Sequence, residues 1–351
     1  MYGIFYRLIL HRLAPQCGIP YMGICVNETR AVCGKVAVKA RRIVLINCFA
    51  TRFCMCLTTS VLAVAICLLA PDAAYAWGPG VHMVSGNWVL QHLSLLPPLV
   101  AEPLARFPGF FLHGCLSADI FIGKGSVAKK GHSHNWESGL ALLKKSRSGR
   151  SRAYAYGYLS HLAADTVAHN VFVPSLLATA PGNGRIAHVY LEMQADRMVS
   201  WDKALALSVF HERGSVNTSR MLRKTLRHNA VKFKLQSCVY RGSIAMGGSS
   251  LWRRSLYAMD RLMPNHVRST YFTDMLDLAI RAVMDALRRG ESSSVYGLDP
   301  VGTDALAHAV ALRSGQGFFP VSSSSSMLAV PLPDALHSLP VVCLAKPKVS
   351  A

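Results

Sequence analysis

The chain has 351 residues, 51% of them hydrophobic, and 38 lysines and arginines against 18 acidic residues give it a net charge of +20. Seven of its ten cysteines precede residue 77, and the three that follow are too few, and odd in number, for a disulfide framework. The part of the chain from residue 77 onward must therefore be stabilised by a hydrophobic core or by bound metal. The positive charge attracts polyanions, nucleic acid and anionic lipid alike.

The first recognisable segment is an apolar run at about residues 57–70, followed by a proline and the triplet Ala-Tyr-Ala at 74–76. This pattern ends a secretory signal peptide. The run has about 14 residues, fewer than the roughly 20 that span a bilayer, and an uncleaved membrane anchor is the alternative interpretation. We predict cleavage after Ala76 and export, secreted or periplasmic, with Trp77 as the new amino terminus. The first 50 residues exceed a usual n-region, which leaves the true start of translation open.

The 275 residues after the predicted cleavage site are enough for one large domain, and they keep 30 basic and 16 acidic residues, a net charge of +14. Their apolar residues recur at intervals of three and four, without the sustained alternation typical of strands. The pattern predicts an all-α, multi-helix bundle. The predicted helices cover 83–96, 103–107, 137–145, 153–173, 186–201, 205–211, 218–239, 251–263 and 271–289.

Three regions follow from this reading. Residues 1–76 are the signal peptide with an over-extended amino terminus, 77–290 form one helical domain, and 291–351 form a loosely structured tail. The tail is predicted from its serine run at 322–326 and the prolines that flank it.

The predicted helix 153–173 carries His161, Asp165 and His169, which follow one another at intervals of four. Such a step advances about 40° around an α-helix, so the three side chains form one stripe. Imidazole and carboxylate groups both suit zinc. One such pair alone is better explained by ordinary packing. His188 and Glu192 repeat the step on the next predicted helix, however, and facing helices of this kind build multinuclear metal sites.

Three further segments supply groups of the same type. His82 follows Trp77 by five residues, and a free α-amino group, with a pKa of roughly 7.7 to 8.0, can chelate a metal with its own carbonyl oxygen. Asp119 lies in an apolar segment, where an unpaired charge is costly. His134 lies at the start of a predicted helix, and His132 is the rival candidate for its role.

In chain order these residues resemble the metal site of the bacterial zinc-dependent phospholipases C, which are related to the single-strand-specific zinc nucleases. The resemblance covers residues 77–201 and implies an all-α fold with three Zn²⁺ ions. It implies that Asp119 orients the attacking water or acts as its general base. It also implies a ligand set: His134, His161 and Asp165 for one ion, His169, His188 and Glu192 for a second, and the Trp77 amine and carbonyl with His82 for a third, bridged by Asp165.

The sequence departs from that pattern in its spacings. His169 follows Asp165 by four residues rather than the six of the best-studied phospholipases. The interval of five between Trp77 and His82 is closer to that of the nucleases. Against the nucleases, the set ends in Glu192 where they have aspartate.

The predicted function is zinc-dependent phosphodiester hydrolysis. Zinc lowers the pKa of a bound water toward 7 and stabilises charge on the phosphoryl oxygens. The predicted substrate is a phospholipid at a membrane surface, cleaved to diacylglycerol and a phosphorylated headgroup. The alternatives are a single-strand-specific nuclease on the same scaffold, with nucleic acid as partner, and a non-catalytic zinc-binding secreted protein. No protein partner is inferred.

Overall fold

The computed structural model describes residues 77–121, 132–178, 191, 193–247, 267–314 and 330–341. All of them belong to the unit that spans residues 63–351. Across these ranges the regular elements are helices, which confirms the all-α prediction. The α-helices are α1 (Pro79–Gln91), α2 (Pro98–Arg106), α3 (Pro108–Cys115), α4 (Trp136–Lys144), α5 (Gly149–Val167), α6 (Val173–Leu177), α7 (Lys203–Ser208), α8 (Ser215–Thr225), α9 (Ala230–Met246), α10 (Ser269–Arg289), α11 (Thr303–Ser314) and α12 (Asp334–His337).

Shorter helical turns connect these elements. They are 3₁₀ turns at Leu93–Leu95, Ala118–Ile120, Gly290–Ser292 and Ser294–Gly297, and a π-helix at Ala168–Phe172 between α5 and α6. None of the helices in the described ranges is both long and apolar enough to cross a membrane.

The predicted helix over 218–239 is wrong, because two helices occupy this stretch. Arg227 adopts a positive φ of 55°, which interrupts helical geometry after α8. The Asn229 side chain then accepts hydrogen bonds from the backbone amides of Val231 and Lys232, at 2.8 and 3.2 Å, and begins α9. The predicted helix over 251–263 lies outside the described residues.

Helix α5 is the central helix of the bundle. It begins at a capping box in which the Ser148 hydroxyl accepts from the Ser151 amide and the Ser151 hydroxyl accepts from the Ser148 amide. From Ala153 onward nearly every residue is buried, because α3, α4 and α10 pack around it. A helix covered on several sides needs no single apolar stripe, and it can carry polar side chains into an interior shared by several elements.

Glycines bring α3 and α5 into close contact. A Cβ atom on Gly157 would lie 1.9 Å from the Phe111 carbonyl oxygen, and one on Gly114 would lie 2.1 Å from that of Tyr154. Only glycine fits at both positions, since any side chain would overlap the opposite backbone. The contact places the last turn of α3 against the middle of α5.

Parts of the predicted tail pack onto the helical domain. Val295, in the 3₁₀ turn after α10, is fully buried, and so is Leu336 of α12. The Ser294 hydroxyl donates to the Ala335 carbonyl at 2.8 Å, which joins the two segments. The domain boundaries at 76 and 290 stay predictions.

Candidate metal centre

Helix α5 contributes His161 and Asp165, one turn apart and both buried. The Nε2 atom of His161 lies 3.0 Å from Oδ2 of Asp165. The other ring nitrogen, Nδ1, lies 2.8 Å from the carbonyl oxygen of Cys115 at the end of α3. A carbonyl can only accept, so Nδ1 carries a proton, and a deprotonated Nε2 would present its lone pair to a metal in the cluster. The glycine contact between α3 and α5 brings this carbonyl into reach.

His134 approaches the same point from the turn before α4. Its Nε2 atom lies 3.1 Å from Nε2 of His161 and 3.3 Å from Oδ2 of Asp165. The hydroxyl of Tyr158, on α5, donates to the Ser133 carbonyl and ties this turn to the central helix. The indole nitrogen of Trp136 donates to the Leu298 carbonyl at 2.8 Å, which holds the start of α4 from the other side.

The separations within this trio are at, or up to about 0.3 Å below, those expected of ligands that share a zinc ion. Ligands about 2.0 to 2.2 Å from a tetrahedral ion lie about 3.3 to 3.6 Å from one another. The three donor atoms lie 3.0 to 3.3 Å apart. Both carboxylate oxygens of Asp165 are buried without a hydrogen bond, even though imidazole nitrogens lie this close. Buried oxygens of this kind need a cation or a donor, and a metal ion satisfies them.

His82, on α1, approaches the other oxygen of the Asp165 carboxylate. Its Nε2 atom is 3.4 Å from Oδ1 of Asp165, and it is buried without a hydrogen bond. The ring stacks on that of His161 with the centroids 3.9 Å apart. Each oxygen of Asp165 therefore faces a different histidine environment, Oδ1 toward His82 and Oδ2 toward His134 and His161.

Asp119 completes the cluster from the 3₁₀ turn Ala118–Ile120. Its Oδ1 atom lies 3.1 Å from Nε2 of His134 and 3.6 Å from Nε2 of His161, and the side chain is buried. Atoms of His82, Asp119 and His161 lie close enough together to hold an ion, as do those of His134, His161 and Asp165. Asp119 is thus close enough to the other donor atoms to bind a metal ion itself, or to accept a hydrogen bond from a water bound to that ion.

The cluster carries opposing charges in a buried setting. Burial disfavours a charged His161, but Asp165 and Asp119 outweigh it and raise the pKa of the imidazole to about 9. Burial likewise opposes ionisation of Asp165, but His161 and His82 hold its pKa well below the usual range. Burial, together with repulsion from His161, lowers the pKa of His82. The carboxylates therefore stabilise positive charge at this point, whether a proton or a metal ion carries it.

Trp77 is fully buried beside the cluster. Its indole nitrogen donates to the Ala164 carbonyl at 3.0 Å, and its ring packs on that of Phe172 at 4.5 Å between centroids. The following segment is held by Asp196, whose carboxylate accepts from the backbone amides of Gly80 and Val81 at 3.0 and 3.1 Å. The two contacts fix residue 77 next to the turn of α5 that carries Asp165.

His169 is buried in the π-helix and is in neither potential metal group found among the described residues. Its backbone is covered by Gly302, where an added Cβ would lie 2.2 Å from the His169 carbonyl oxygen. The predicted partners His188 and Glu192 lie outside the described residues. The structure thus brings together His82, Asp119, His134, His161 and Asp165, with Trp77 alongside.

Other histidines have different surroundings. The Nδ1 atom of His132 accepts from the His134 amide at 3.1 Å. Among the described residues His134 belongs to a potential metal group and His132 does not. His113 is buried between the rings of Tyr154 and Phe210, and this burial lowers its pKa to about 3.

Sequence reasoning missed the supporting groups Cys115, Tyr158 and Asp196. Cys115 acts through its backbone carbonyl, so its residue type gives no signal. Tyr158 stands three residues before His161, a spacing that places both on adjacent turns of one helix. Asp196 follows Glu192 by four residues, which extends the step of four already noted on that predicted helix.

Residues 81–241 match the family model described as zinc dependent phospholipase C. This part of the chain is similar to the zinc-dependent phospholipase C family. The match runs from α1 into α9 and includes every member of the cluster, and it confirms the resemblance noted in the sequence. Neither the curated proteins nor the solved structures include a match to the chain. The family and the buried His/Asp cluster together support Zn²⁺ as the cofactor.

Proposed function

We propose that this protein belongs to the zinc-dependent phospholipase C family and hydrolyses the phosphodiester bond between diacylglycerol and the headgroup of a phospholipid. The observation that carries the proposal is the shared carboxylate of Asp165. One of its oxygens lies 3.0 and 3.3 Å from the imidazoles of His161 and His134, and the other lies 3.4 Å from His82. A carboxylate bridging two cations is the arrangement expected of a multinuclear phosphodiesterase centre.

The proposed ligands of the three zinc ions come from different parts of the chain. His134, His161 and Asp165 would hold one ion, and His82 with the amine and carbonyl of Trp77 would hold another against Asp165. His169, His188 and Glu192 are the proposed ligands of a third. Zinc, when bound, would supply a water of lowered pKa and would stabilise charge on the phosphoryl oxygens.

Asp119 is the proposed general base or orienter of that water. Its Oδ1 atom, 3.1 Å from Nε2 of His134, is within one hydrogen bond of the atoms that converge on the centre. It would accept the proton of the attacking water and return it to the leaving diacylglycerol alkoxide. Asp165 is less suited to this role, because both of its oxygens face histidines.

The Trp77 amine can act as a ligand only after cleavage behind Ala76, so export and activity are proposed to be coupled. The indole anchor at Ala164 supports this, because it holds residue 77 beside the cluster. A chain that keeps one methionine before Trp77 has an amide in place of the amine. It should bind one zinc ion fewer and lose activity, and unchanged zinc content would show that the terminus is not a ligand.

The deciding experiment offers zinc-loaded protein beginning at Trp77 two substrates in parallel, phosphatidylcholine vesicles and single-stranded DNA. Chelator-sensitive release of phosphocholine is the expected result. Cleavage of DNA alone would assign the chain to the nuclease function, and hydrolysis of neither would leave a non-catalytic zinc protein. Asp119→Asn should lower turnover by about a hundredfold or more while zinc stays bound, since it removes the proton acceptor. Full activity in this variant would exclude a catalytic role for Asp119.

A further inference from the structure

The segment from Arg213 to Gly247, which contains α8 and α9, differs in charge from the rest of the domain. It carries eight lysines and arginines and no aspartate or glutamate. Six of the eight are exposed, namely Arg213, Arg220, Lys224, Arg227, Lys232 and Lys234. Charges of one sign on neighbouring helices repel each other, so this cluster has a cost unless an anionic partner neutralises it.

The outer side of α9 combines this charge with exposed aliphatic side chains. Val231 is 77% exposed and Leu235 is 65% exposed, among the highest values for large hydrophobic residues in the described ranges. At 100° per residue the two lie about 40° apart on the helix, with Lys234 about 60° to one side of Val231 and Lys232 about 100° to the other. We call these four residues the α9 face. An aliphatic strip between lysines is typical of helices that lie in a membrane interface.

The inner side of α9 connects this face to the metal centre. Phe233, on the opposite side of the helix from Val231, is buried and packs on Phe121 with the ring centroids 5.3 Å apart. Phe121 follows directly on the 3₁₀ turn that carries Asp119, and α9 packs against that turn. A partner bound to the α9 face is therefore held at a fixed position relative to Asp119.

The composition of the α9 face favours a lipid surface over nucleic acid. Single-stranded nucleic acids are bound by exposed aromatic rings on which bases stack. The two aromatic residues of the segment, Phe233 and Tyr240, are both buried. The exposed apolar groups are aliphatic, which suits acyl chains, and long lysine side chains can reach phosphates while their stems stay in the apolar layer.

We propose that the α9 face docks the protein on an anionic phospholipid membrane, with Val231 and Leu235 inserted at the level of the glycerol backbone and Lys232 and Lys234 on lipid phosphates. The inference deepens the proposed function and rests on it, because it assumes that the substrate lies in a membrane. It adds a surface distinct from the metal centre, and it assigns the positive charge of this segment to lipid.

The test uses the zinc-loaded protein beginning at Trp77 and vesicles containing phosphatidylcholine and phosphatidylglycerol in equal parts. Two double variants alter the face: Val231→Ser with Leu235→Ser, and Lys232→Glu with Lys234→Glu. Each should lower vesicle binding in co-sedimentation by about tenfold or more. The rate on a monomeric short-chain phosphatidylcholine, which needs no docking, should stay within about twofold. Circular dichroism should be unchanged.

Matched controls are available elsewhere on the surface. Val341 and Leu99 are 77% and 68% exposed, close to the values of Val231 and Leu235, so Val341→Ser with Leu99→Ser removes equal apolar surface. Arg106→Glu with Arg288→Glu reverses two other exposed cations. Both controls should bind vesicles like the unaltered chain.

Several results would overturn the docking proposal. One is vesicle binding that is insensitive to the α9 variants, or reduced equally by the controls. Another is unchanged vesicle binding with loss of single-stranded DNA binding, which would assign the face to nucleic acid. A third is unchanged vesicle binding with dissociation of a dimer, which would assign it to a second copy of the chain. Failure of the proposed function looks different: no hydrolysis of monomeric phospholipid, while vesicle binding still depends on the α9 face.

Discussion

His113 and His161 lie on the two helices that meet at the glycine contact, and both are about 1% exposed. Their electrostatic surroundings are nevertheless opposite. His113 has aromatic neighbours, and burial lowers its pKa to about 3. At His161 burial acts in the same direction, but Asp165 and Asp119 reverse it and raise the pKa to about 9.

The comparison shows that burial alone does not identify a functional histidine. The difference between the two histidines comes from the buried carboxylates near His161, because they make positive charge favourable at that position. A metal ion at His161 would be stabilised by the same carboxylates, whereas a cation at His113 would be opposed by its apolar surroundings.

The largest effect is expected from Asp165→Asn, which makes the surroundings of His161 more like those of His113. The amide keeps the size of the side chain but loses the charge shared by His82, His134 and His161. Zinc content should fall by at least one ion per chain, and phospholipid hydrolysis should drop by about a hundredfold or more. Metal analysis beside an activity assay measures both. Unchanged zinc content would remove Asp165 from the ligand set.

Gly157→Ala should disturb both histidines at once, because its Cβ would lie 1.9 Å from the Phe111 carbonyl oxygen. Separation of α3 from α5 would move the Cys115 carbonyl away from His161. We expect a loss of about 1 to 3 kcal/mol in the free energy of unfolding, together with weaker zinc binding. Denaturant unfolding and zinc titration measure the two effects.

Gly242→Ala is the matched control for this substitution. Gly242 lies in α9 with nothing within 4 Å of an added Cβ. There alanine should stabilise the helix by about 0.5 to 1 kcal/mol. Equal effects at the two positions would contradict the close-contact argument.

His113→Phe should change the pH dependence of stability. Unfolded His113 takes up a proton near pH 6.5, whereas the folded protein resists protonation until about pH 3. The unfolded state therefore binds more protons between these values, and its contribution lowers stability by about 1.4 kcal/mol for each unit that the pH falls. Phenylalanine removes this effect, so the variant should gain on the unaltered chain as the pH drops from 6.5 toward 3. Thermal unfolding across this range measures the difference, and parallel curves would show that His113 does not stay neutral in the folded state.

The smallest effect is expected from His132→Gln. His132 accepts the His134 amide but lies outside both ligand groups found in the described part of the chain. Glutamine can keep an acceptor near this amide, so zinc content should be unchanged and activity should stay within about threefold. If His132→Gln lost a zinc ion and His134→Gln kept it, His132 rather than His134 would be the ligand.

The sequence predicted the parts of this centre that depend on one helix. His161 and Asp165 follow from a step of four, and α5 and α10 follow from long periodic runs. The convergence of α1, the Ala118–Ile120 turn and the turn before α4 on that pair was reached through the family resemblance, because nothing in the periodicity specifies which helices meet. The interruption at Arg227 was missed, because the apolar pattern continues across this residue although the backbone there is not helical. His169 was placed on the stripe, but the chain passes there into a π-helix, whose i→i+5 bonding has no clear sequence signal.

The loop at 298–302, which follows the last 3₁₀ turn, contacts residues that are distant in sequence and close to two of the histidines. The Leu298 carbonyl accepts the Trp136 indole beside His134, the Asp299 carbonyl accepts the Asn170 amide beside His169 at 2.8 Å, and Gly302 covers His169 itself. This loop lies well beyond residue 241, where the family match ends. The segments that carry His134 and His169 are therefore held in part by a loop that the family match does not include. A chain shortened to residues 81–241 would lose these contacts.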